Sequence, residues 1–294
     1  MTSSQEFADA RAPTVRLSVI LAVRNGGQYL AQQLESLVTQ GYEHPWEIIV
    51  VDNASSDDTA IVARSFQARF ERLTVISENR AGKSHALNTG SDVAQGELIV
   101  LVDADDEAAP GYIASMARAL EQFEMVSAHI DMTYFNPWDL GEKRPSDQMI
   151  TYLDYRPYIM GAILGVRAST WRRIGNFDTT LSSAEDVDFT WRASEMGVTM
   201  AMAPGALMRY RRPRTAGQNF RKARSYGRAH VALFVLHREL GQPRKRIRPE
   251  LRHLKDALSE LVHRQDHWQW RAAWNVGLVA GRLEESLRRR VWYP

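Results

Sequence analysis

Cysteine is absent from this chain of 294 residues. Disulfide bonds and thiolate metal sites are therefore excluded, and the absence fits a reducing compartment. Long apolar runs are also missing, since no stretch approaches the roughly 20 apolar residues that a membrane-spanning helix needs. The first 16 residues, MTSSQEFADARAPTVR, carry acidic side chains and no apolar core, so they do not look like a signal peptide. We expect a cytoplasmic protein.

Charge is distributed unevenly along the chain. The net charge is only +2, with 44% hydrophobic and 24% charged residues, which is ordinary for a globular protein. Residues 209–294 contain 21 Lys and Arg against 7 Asp and Glu, whereas residues 1–208 contain 16 against 28. An acidic body with a basic C-terminal segment predicts two tasks, and the basic segment suits an anionic partner such as a membrane surface or nucleic acid.

Short apolar runs alternate with helical stretches between residues 17 and about 136. The runs are LSVILAV (17–23), WEIIVVD (46–52), LTVIS (73–77) and LIVLVD (98–103), and helices are expected to begin near Asp57, near Lys83 and after Pro110. This alternation predicts an α/β fold whose mostly parallel sheet is covered by helices on both faces. Beyond Pro213 the pattern predicts helices only.

Polar or charged residues follow each of these four strands. The four strand exits read Arg24-Asn25-Gly26-Gly27, Asp52-Asn53, Glu78-Asn79-Arg80 and Asp103-Ala104-Asp105-Asp106. Ligands of such sheets bind beyond the carboxyl ends of the strands, so these groups should converge on one edge. The three carboxylates of the last exit need a positive partner, because carboxylates are rarely buried without a cation or hydrogen-bond donors.

Asp103 and Asp105 form a D-x-D pair after a strand. Two such carboxylates predict ligands for Mg²⁺ or Mn²⁺, hard cations that prefer oxygen and often complete their shell with substrate phosphates. An EF-hand is excluded, because its sixth position, Ala108, is not glycine and no glutamate closes the loop. The structural alternative is that Asp105 or Asp106 caps the helix that follows Pro110.

Five blocks of the sequence resemble the successive motifs of glycosyltransferase family 2. They are SVILAVRNGGQYLAQQLESL, EIIVVDNASSDDT, NRAGKSHALNTG, LIVLVDADDEAAPGYI and NFDTTLSSAEDVDFTWRASEMG, which cover roughly residues 16–205. Each block is loose, but five in the right order are specific. The resemblance implies a glycosyltransferase A fold and an inverting enzyme that uses a nucleotide sugar and a divalent metal.

The same resemblance implies roles for individual residues. The donor-side residues are Ala22, Val23, Asn25 and Asp52 at the base and ribose, Arg80 and Lys83 near the diphosphate, and Asp103, Ala104 and Asp105 at the metal and sugar nucleotide. Structural alternatives stay open: Asp52 could form an Asx-turn or cap a helix, and Arg80 and Lys83 could be solvated surface charges.

Glu185 and Asp186 resemble the ED motif of the family, whose aspartate is the general base. An inverting transfer needs a carboxylate within hydrogen-bond reach of the acceptor hydroxyl, opposite the leaving diphosphate. Asp188 and Arg192 are four residues apart and can pair along a helix, so we expect Asp188 to be structural and Asp186 to be the base. The alternative for Asp186 is an N-terminal helix cap.

The acceptor side is expected around Gly161, Ala162 and Glu185, in a pocket formed by residues 130–185 and the C-terminal segment. Metal-dependent relatives often have a histidine after the last core strand, whereas this chain has Met208-Arg209-Tyr210-Arg211 there. A third protein ligand for the metal is therefore left open.

We divide the chain into a flexible N-terminus (1–15), a catalytic domain (16–212) and a basic helical C-terminal extension (213–294). Basic residues of the extension are interleaved with Trp268, Trp270, Trp274 and Trp292. This pattern is typical of an interfacial helix at a membrane, but the tryptophans could equally pack onto the catalytic domain or a second subunit.

The sequence thus predicts an inverting, metal-dependent glycosyltransferase. It would move a sugar from a nucleoside diphosphate, with UDP favoured, to a hydroxyl or amine of a small-molecule or lipid-linked acceptor. A catalytically silent module that binds a sugar nucleotide or nucleic acid is disfavoured by the intact Asp103, Asp105 and Asp186. A nucleotidyltransferase on a related sheet is disfavoured because residues 24–27 lack its glycine-rich basic loop.

Overall fold

The computed structural model describes residues 15–137, 148–244 and 267–293, together with Lys255 and Ser259. Apart from Val15, the N-terminal segment expected to be flexible lies outside the described residues. In chain order the strands are β1 (Leu17–Val23), β2 (Trp46–Asp52), β3 (Leu73–Ser77), β4 (Leu98–Leu101), β5 (Glu107–Ala108), β6 (Met125–Asp131), β7 (Ile150–Tyr152), β8 (Arg156–Tyr158), β9 (Leu164–Arg167) and β10 (Met200–Arg209).

Helices fill most of the intervening chain. They are α1 (Gly27–Val38), α2 (Thr59–Ser65), α3 (Lys83–Val93), α4 (Tyr112–Gln122), α5 (Ala168–Ile174), α6 (Glu185–Glu195), α7 (Ala216–His237) and α8 (Trp268–Arg289), with 3₁₀ turns at Gln67–Arg69, Gly161–Ile163 and Arg238–Leu240. The prediction of a helical C-terminal extension is confirmed by α7 and α8. None of the described helices is both long and apolar enough to cross a membrane.

Eight strands form one sheet in the order β3-β2-β1-β4-β9-β6-β10-β5, and β7 pairs with β8 in a separate hairpin. The pairs β3-β2, β2-β1, β1-β4 and β6-β10 are parallel, while β9 and β5 run antiparallel to their neighbours. The predicted mostly parallel α/β sheet is therefore confirmed. Most residues of its central strands are apolar and buried, as expected where helices cover both faces.

The fourth predicted strand is shorter than its apolar run. The run continues to Asp103, but β4 ends at Leu101. Beyond it the backbone N–H of Val102 still donates to Ile20 O at 3.2 Å, and the chain then turns through Asp103 and Asp106. This turn places the acidic residues at the carboxyl edge of the sheet.

Backbone and side-chain hydrogen bonds join the strand exits to one another. The Asn53 N–H donates to Val23 O at 2.8 Å. The Asn53 side-chain amide donates to Glu78 O at 3.0 Å and to Arg80 O at 2.7 Å, and its oxygen accepts from the Gly82 N–H at 2.9 Å. The exits of β1, β2 and β3 therefore converge, as the sequence predicts, and one buried asparagine holds them in place.

The helices α7 and α8 of the extension pack side by side and run parallel. Their contacts advance in the same direction along both, from Asn219 with Trp270 to His230 with Arg282. Glycines allow the close approach: a methyl group on Gly281 would overlap the carbonyl oxygen of Arg224.

Two of the four tryptophans of the extension pack against neighbouring protein groups. Of these two, Trp270 also meets the catalytic domain, where the Arg212 guanidinium lies 5.5 Å from its ring centroid, whereas the ring contact of Trp274 is within the extension. The Trp270 indole N–H donates to Pro213 O at 2.8 Å, and the Trp274 ring meets the Tyr226 ring edge-on at 5.7 Å. Trp292, in contrast, is 56% exposed.

Gly281→Ala should separate α7 from α8 and destabilise the protein by about 2 kcal/mol, the typical cost of an overpacked contact. Urea unfolding followed by circular dichroism measures the change. Gly217→Ala is the matched control, because its new methyl would meet only Arg221 Nη1 at 3.7 Å. A similar loss of stability in the two variants would contradict the close-packing explanation.

Candidate active site

Three carboxylates cluster beyond β4. Ligand oxygens of Asp103, Asp105 and Asp106 all lie within 4.8 Å of one another. Neither Asp105 nor Asp106 caps α4, whose N-cap is Gly111 without a side-chain hydrogen bond, so the capping alternative is wrong.

Asp106 is the buried member of this acidic cluster. Its Oδ1 accepts the backbone N–H of Arg211 at 2.8 Å, but its Oδ2 has no hydrogen-bond partner in the described part of the chain. Burial, and then the charges of Asp103 and Asp105, raise the pKa of Asp106. An all-oxygen cluster with an unpartnered buried oxygen fits a hard divalent cation.

Lys83, at the start of α3, supplies a positive charge to this cluster. Its ammonium forms an ion pair with Asp103, and its side chain is 39% exposed. Partial burial acts against the charge, but Asp103 and Glu185 outweigh it, so the pKa of Lys83 is raised. Asp186 acts on Lys83 in the same direction. One ammonium therefore pairs with the acidic cluster and lies within electrostatic reach of the Glu185-Asp186 pair.

Arg80 forms its ion pair with Glu78 and, among the described residues, none with the acidic cluster. Its guanidinium forms a two-pronged contact with Glu78, with Nη2 to Oε2 at 2.6 Å and Nε to Oε1 at 3.0 Å. The side chain of Arg80 is 66% exposed. The Arg80 hydrogen bonds lower the pKa of Glu78. In this arrangement Arg80 is an ion-pair partner on the rim, and its donor-binding role stays a prediction.

The proposed nucleobase residues form a compact loop system. Asp52 is buried and its Oδ1 accepts the Ser55 N–H at 3.0 Å. This bond spans three residues and an Asx-turn spans two, so Asp52 supports its loop locally but not by the Asx-turn of the structural alternative. Asn25 adopts φ 51° and its Oδ1 accepts the Ser56 N–H at 2.8 Å. These contacts hold the loops after β1 and β2 together. They use only one oxygen of Asp52, and the roles assigned to Ala22, Val23, Asn25, Asp52 and Ala104 stay predictions.

Asp186 is held by two backbone donors. Its Oδ2 accepts the Gly161 N–H at 2.7 Å and its Oδ1 accepts the Val187 N–H at 2.8 Å. The N-cap of α6 is Ala184, so Asp186 is not the cap residue. Burial raises its pKa, although the Gly161 hydrogen bond and the charge of Lys83 oppose the shift.

The other predicted residues around Asp186 differ in position. Glu185 is buried beside it, and burial, followed by the charge of Asp186, raises the pKa of Glu185 to about 7. Gly161 contacts Asp186 directly, whereas Ala162 is buried in the sheet core. The acceptor-side role of Ala162 stays a prediction.

Asp188 is structural, as predicted. Its Oδ2 accepts Arg192 Nε at 2.9 Å, and its Oδ1 lies 3.0 Å from His237 Nε2. Arg192 in turn donates to the carbonyl oxygens of Ile174 and Asn176 at 2.8 and 2.9 Å. This buried network fixes α6 against α7 and so fixes the start of α6, where Asp186 lies.

A cavity of about 400 Å³ opens beside Asp186. It lies between residues 132–187 and the C-terminal extension, where the sequence places an acceptor pocket. Six aromatic side chains line it: Tyr152, Tyr158, Tyr210, Tyr226, Trp270 and Trp274. The extension therefore forms one wall of the candidate site.

The sequence model described as "Glycosyl transferase family 2" matches residues 18–192, which is more than half of the chain. The chain belongs to glycosyltransferase family 2.

Named relatives agree with this assignment. The glycosyltransferase AglE of Haloferax volcanii is 25% identical over 229 residues, covering 76% of this chain and 75% of AglE. The uncharacterized glycosyltransferase YibD of Escherichia coli is 30% identical over 138 residues, covering 46% of this chain and 40% of YibD.

Two solved structures share the fold of this glycosyltransferase. The mannosyltransferase PcManGT from Pyrobaculum calidifontis, in complex with GDP-Man and Mn²⁺, has a TM-score of 0.63 at 19% identity and covers 95% of this chain and 90% of PcManGT. S. aureus TarS 1-349, in complex with UDP-GlcNAc, has a TM-score of 0.56 at 18% identity and covers 95% of this chain and 93% of that one. The expected glycosyltransferase A fold is confirmed.

Several residues of this glycosyltransferase site were missed by the sequence analysis. Asn219, Lys222, Tyr226 and His230 line the cavity from α7. Their spacing of three, four and four residues is a helical stripe, a signal that marks one face of α7 but does not say what that face contacts. Asp106 is counted in the sequence among the carboxylates that need a positive partner and as a possible cap, but it is not predicted there as a metal ligand, although it directly follows the D-x-D pair.

Glu185→Gln should stabilise the protein at alkaline pH. The pKa of Glu185 is about 7 in the folded protein against 4.5 for an ordinary glutamate, so the unfolded chain loses this proton first. Stability therefore falls as the pH rises from 4.5 to 7 and stays lowered above that range. The neutral glutamine avoids this penalty, which corresponds to on the order of 3 kcal/mol. Urea unfolding at pH 8 should show the gain, and unfolding at pH 4.5 should show little.

Glu239→Gln is the control for this measurement, because the Glu239 side chain is 85% exposed. It should change stability by less than about 0.5 kcal/mol at either pH. A glutamine at position 185 that destabilises equally at both pH values would show that Glu185 is needed as an ion-pair partner instead.

Proposed function

We propose that this glycosyltransferase transfers a sugar with inversion from a nucleoside diphosphate sugar to a hydroxyl or amine acceptor. The observation that carries the proposal is the position of Lys83. Its ammonium pairs with Asp103 and is attracted by Glu185 and Asp186, which supports a single cleft for the diphosphate and the base. Two acidic sites on opposite sides of one reaction centre are what an inverting displacement requires.

The donor is proposed to be a nucleotide sugar, with UDP favoured. PcManGT carries GDP-Man and TarS carries UDP-GlcNAc, and both share the fold of this chain. The loops after β1 and β2, with Asn25 and Asp52, would hold the base and ribose. Lys83 would meet the diphosphate, because its ammonium already lies at the acidic cluster.

Asp103 and Asp105 are proposed to hold Mg²⁺ or Mn²⁺, with Asp106 as a candidate third ligand. The bound cation would offset the negative charge that develops on the leaving diphosphate. The three clustered carboxylates and the Mn²⁺ of PcManGT support this assignment.

Asp186 is proposed as the general base. Its carboxylate would accept the proton of the acceptor hydroxyl while that oxygen forms a bond to C1 of the donor sugar. The bond between C1 and the diphosphate oxygen breaks, and the diphosphate leaves on the opposite face with both bonding electrons. The Gly161 and Val187 N–H groups orient the carboxylate for this step.

The extension supports a peripheral membrane contact at the inner face of the membrane, and with it a lipid-linked acceptor. Val276, Leu283 and Leu287 lie seven and four residues apart on one face of α8, and all three are exposed, Leu287 by 80%. Exposed Arg288 and Trp292 lie close by in the chain. An apolar stripe beside basic and aromatic residues suits an anionic lipid surface. A homodimer through the same face is the competing proposal.

Asp186→Asn should lower the transfer rate by roughly 10²- to 10⁴-fold, the usual contribution of a general base. Nucleoside diphosphate binding, measured by calorimetry with Mn²⁺, should be nearly unchanged. Because burial raises the pKa of Asp186, the wild-type rate should fall on the acidic side at a pH above the ordinary carboxylic acid range, and the variant should lack this limb. Equal losses of rate and folding stability would contradict the base assignment.

Asp105→Ala should remove one ligand of the metal and weaken Mn²⁺-dependent binding of the nucleoside diphosphate by roughly tenfold or more. Binding without Mn²⁺ should not change. Asp92→Ala, at an exposed position of α3, is the matched control and should bind like the wild type. Metal-dependent binding that survives in the Asp105 variant would refute the assignment of Asp105 as a ligand.

A further inference from the structure

The cavity beside Asp186 has two chemically different kinds of lining. Aromatic rings of Tyr152, Tyr226 and Trp274 provide flat walls, which suit the faces of a sugar ring or a similar flat apolar surface. Its volume of about 400 Å³ lies within the range of small-molecule sites. The polar groups of the wall would then decide which ligand binds.

Lys222 places a positive charge in this wall. Its ammonium donates to Tyr210 Oη at 2.6 Å and lies over the Tyr210 and Tyr226 rings, 5.2 and 6.0 Å from their centroids. No carboxylate of the described residues forms a salt bridge with it. Asp105 attracts this charge electrostatically without forming an ion pair with it. The half-buried ammonium, held by Tyr210 and Tyr226, therefore has no salt-bridge partner among the described residues, and its N–H donors suit an anion.

Asn219 places a hydrogen-bond acceptor in the same wall, one helical turn before Lys222. The side chain is fully buried, and its amide N–H donates to Trp270 O at 2.8 Å. Its Oδ1 has no hydrogen-bond partner among the residues that the structure describes. A buried carbonyl oxygen without a partner costs stability, so a ligand hydroxyl that donates to it is favoured.

We propose that this cavity is the acceptor site and that the acceptor is an anionic saccharide or polyol, in the simplest case a sugar phosphate. Its anionic group would bind Lys222, one hydroxyl would donate to Asn219, and the reacting hydroxyl would face Asp186. The proposal rests on the proposed function, because it assigns the acceptor of that reaction. A soluble sugar phosphate and the head of a lipid-linked saccharide share this chemistry.

Lys222, rather than Lys83, serves the acceptor because of what surrounds each ammonium. Lys83 is paired with Asp103 of the acidic cluster. Both the hydrogen-bond partner and the two rings around Lys222 line the cavity. The chain thus has one lysine for each of the two anionic substrates.

Calorimetry on the full chain, saturated with Mn²⁺ and its preferred nucleoside diphosphate, tests the proposal. The probes are the 1-phosphates of glucose, mannose and N-acetylglucosamine, each compared with its unphosphorylated parent. At least one phosphate should bind tenfold or more tightly than its parent, because a hydrogen bond to a charged group typically strengthens binding by about that factor. The same head group on a short prenyl chain in detergent separates the two sources: tighter binding than the soluble probe identifies a lipid-linked acceptor.

Three variants assign the binding to the cavity. Lys222→Met should abolish the advantage of the phosphate over its parent, and Arg221→Met, an exposed neighbour on α7, should retain it. Asn219→Ala should weaken phosphate and parent alike. Thermal unfolding of each variant verifies that it is folded.

Two results would overturn the acceptor assignment. One is that no probe binds, or that the parents bind as tightly as the phosphates, while the nucleoside diphosphate binds normally. The other is that Lys222→Met weakens nucleoside diphosphate binding and leaves sugar phosphate binding intact, which would place Lys222 in the donor site. Failure of the proposed function is a separate result, namely that the wild type binds no nucleoside diphosphate with Mn²⁺.

Discussion

Repulsion between carboxylates is the constraint on which this site depends. The acidic cluster beyond β4 and the Glu185-Asp186 pair of α6 come from distant parts of the chain, yet both are close enough to Lys83 to affect its charge. Like charges brought together in a partly buried cleft cost folding energy unless a cation offsets them. Lys83 provides part of that offset, and the unpartnered oxygen of Asp106 shows that it is not complete.

Buried hydrogen bonds and ion pairs hold these groups in place. Asn53 ties three strand exits together, and the ion pair of Asp188 with Arg192, joined by His237, anchors α6. The glycine contacts between α7 and α8 hold the two helices of the extension together. The basic extension is therefore part of the candidate site, because Lys222 lines the cavity together with Asp186.

Much of the sheet could be predicted from the sequence, because β1, β2 and β3 are continuous apolar runs between polar loops. The end of β4 could not, since Val102 is apolar but lies beyond the ladder. The antiparallel strand β9, Leu164–Arg167, could not be predicted either. It pairs with both β4 and β6, and a short apolar run does not show which distant segments it will pair with.

Some residues of the candidate site could likewise be predicted from the sequence, and others could not. Asp103, Asp105 and Asp186 stand in recognisable blocks, so they could be identified from the sequence. Lys222 and Asn219 could not, because their position in a cavity depends on how α7 packs against the catalytic domain. Helical spacing alone marks a stripe on α7 and does not say what the stripe faces.

The two carboxylates at the start of α6 have unequal surroundings, and this inequality decides which one acts as a base under the proposed function. Burial raises the pKa of both. Asp186, however, accepts two backbone N–H groups through its side chain, and such bonds favour the ionised form. When the pair carries a single proton, that proton therefore belongs on Glu185, whose pKa is near 7. Asp186 then remains ionised and oriented, so a neighbouring acid of raised pKa keeps the base ready to accept a proton.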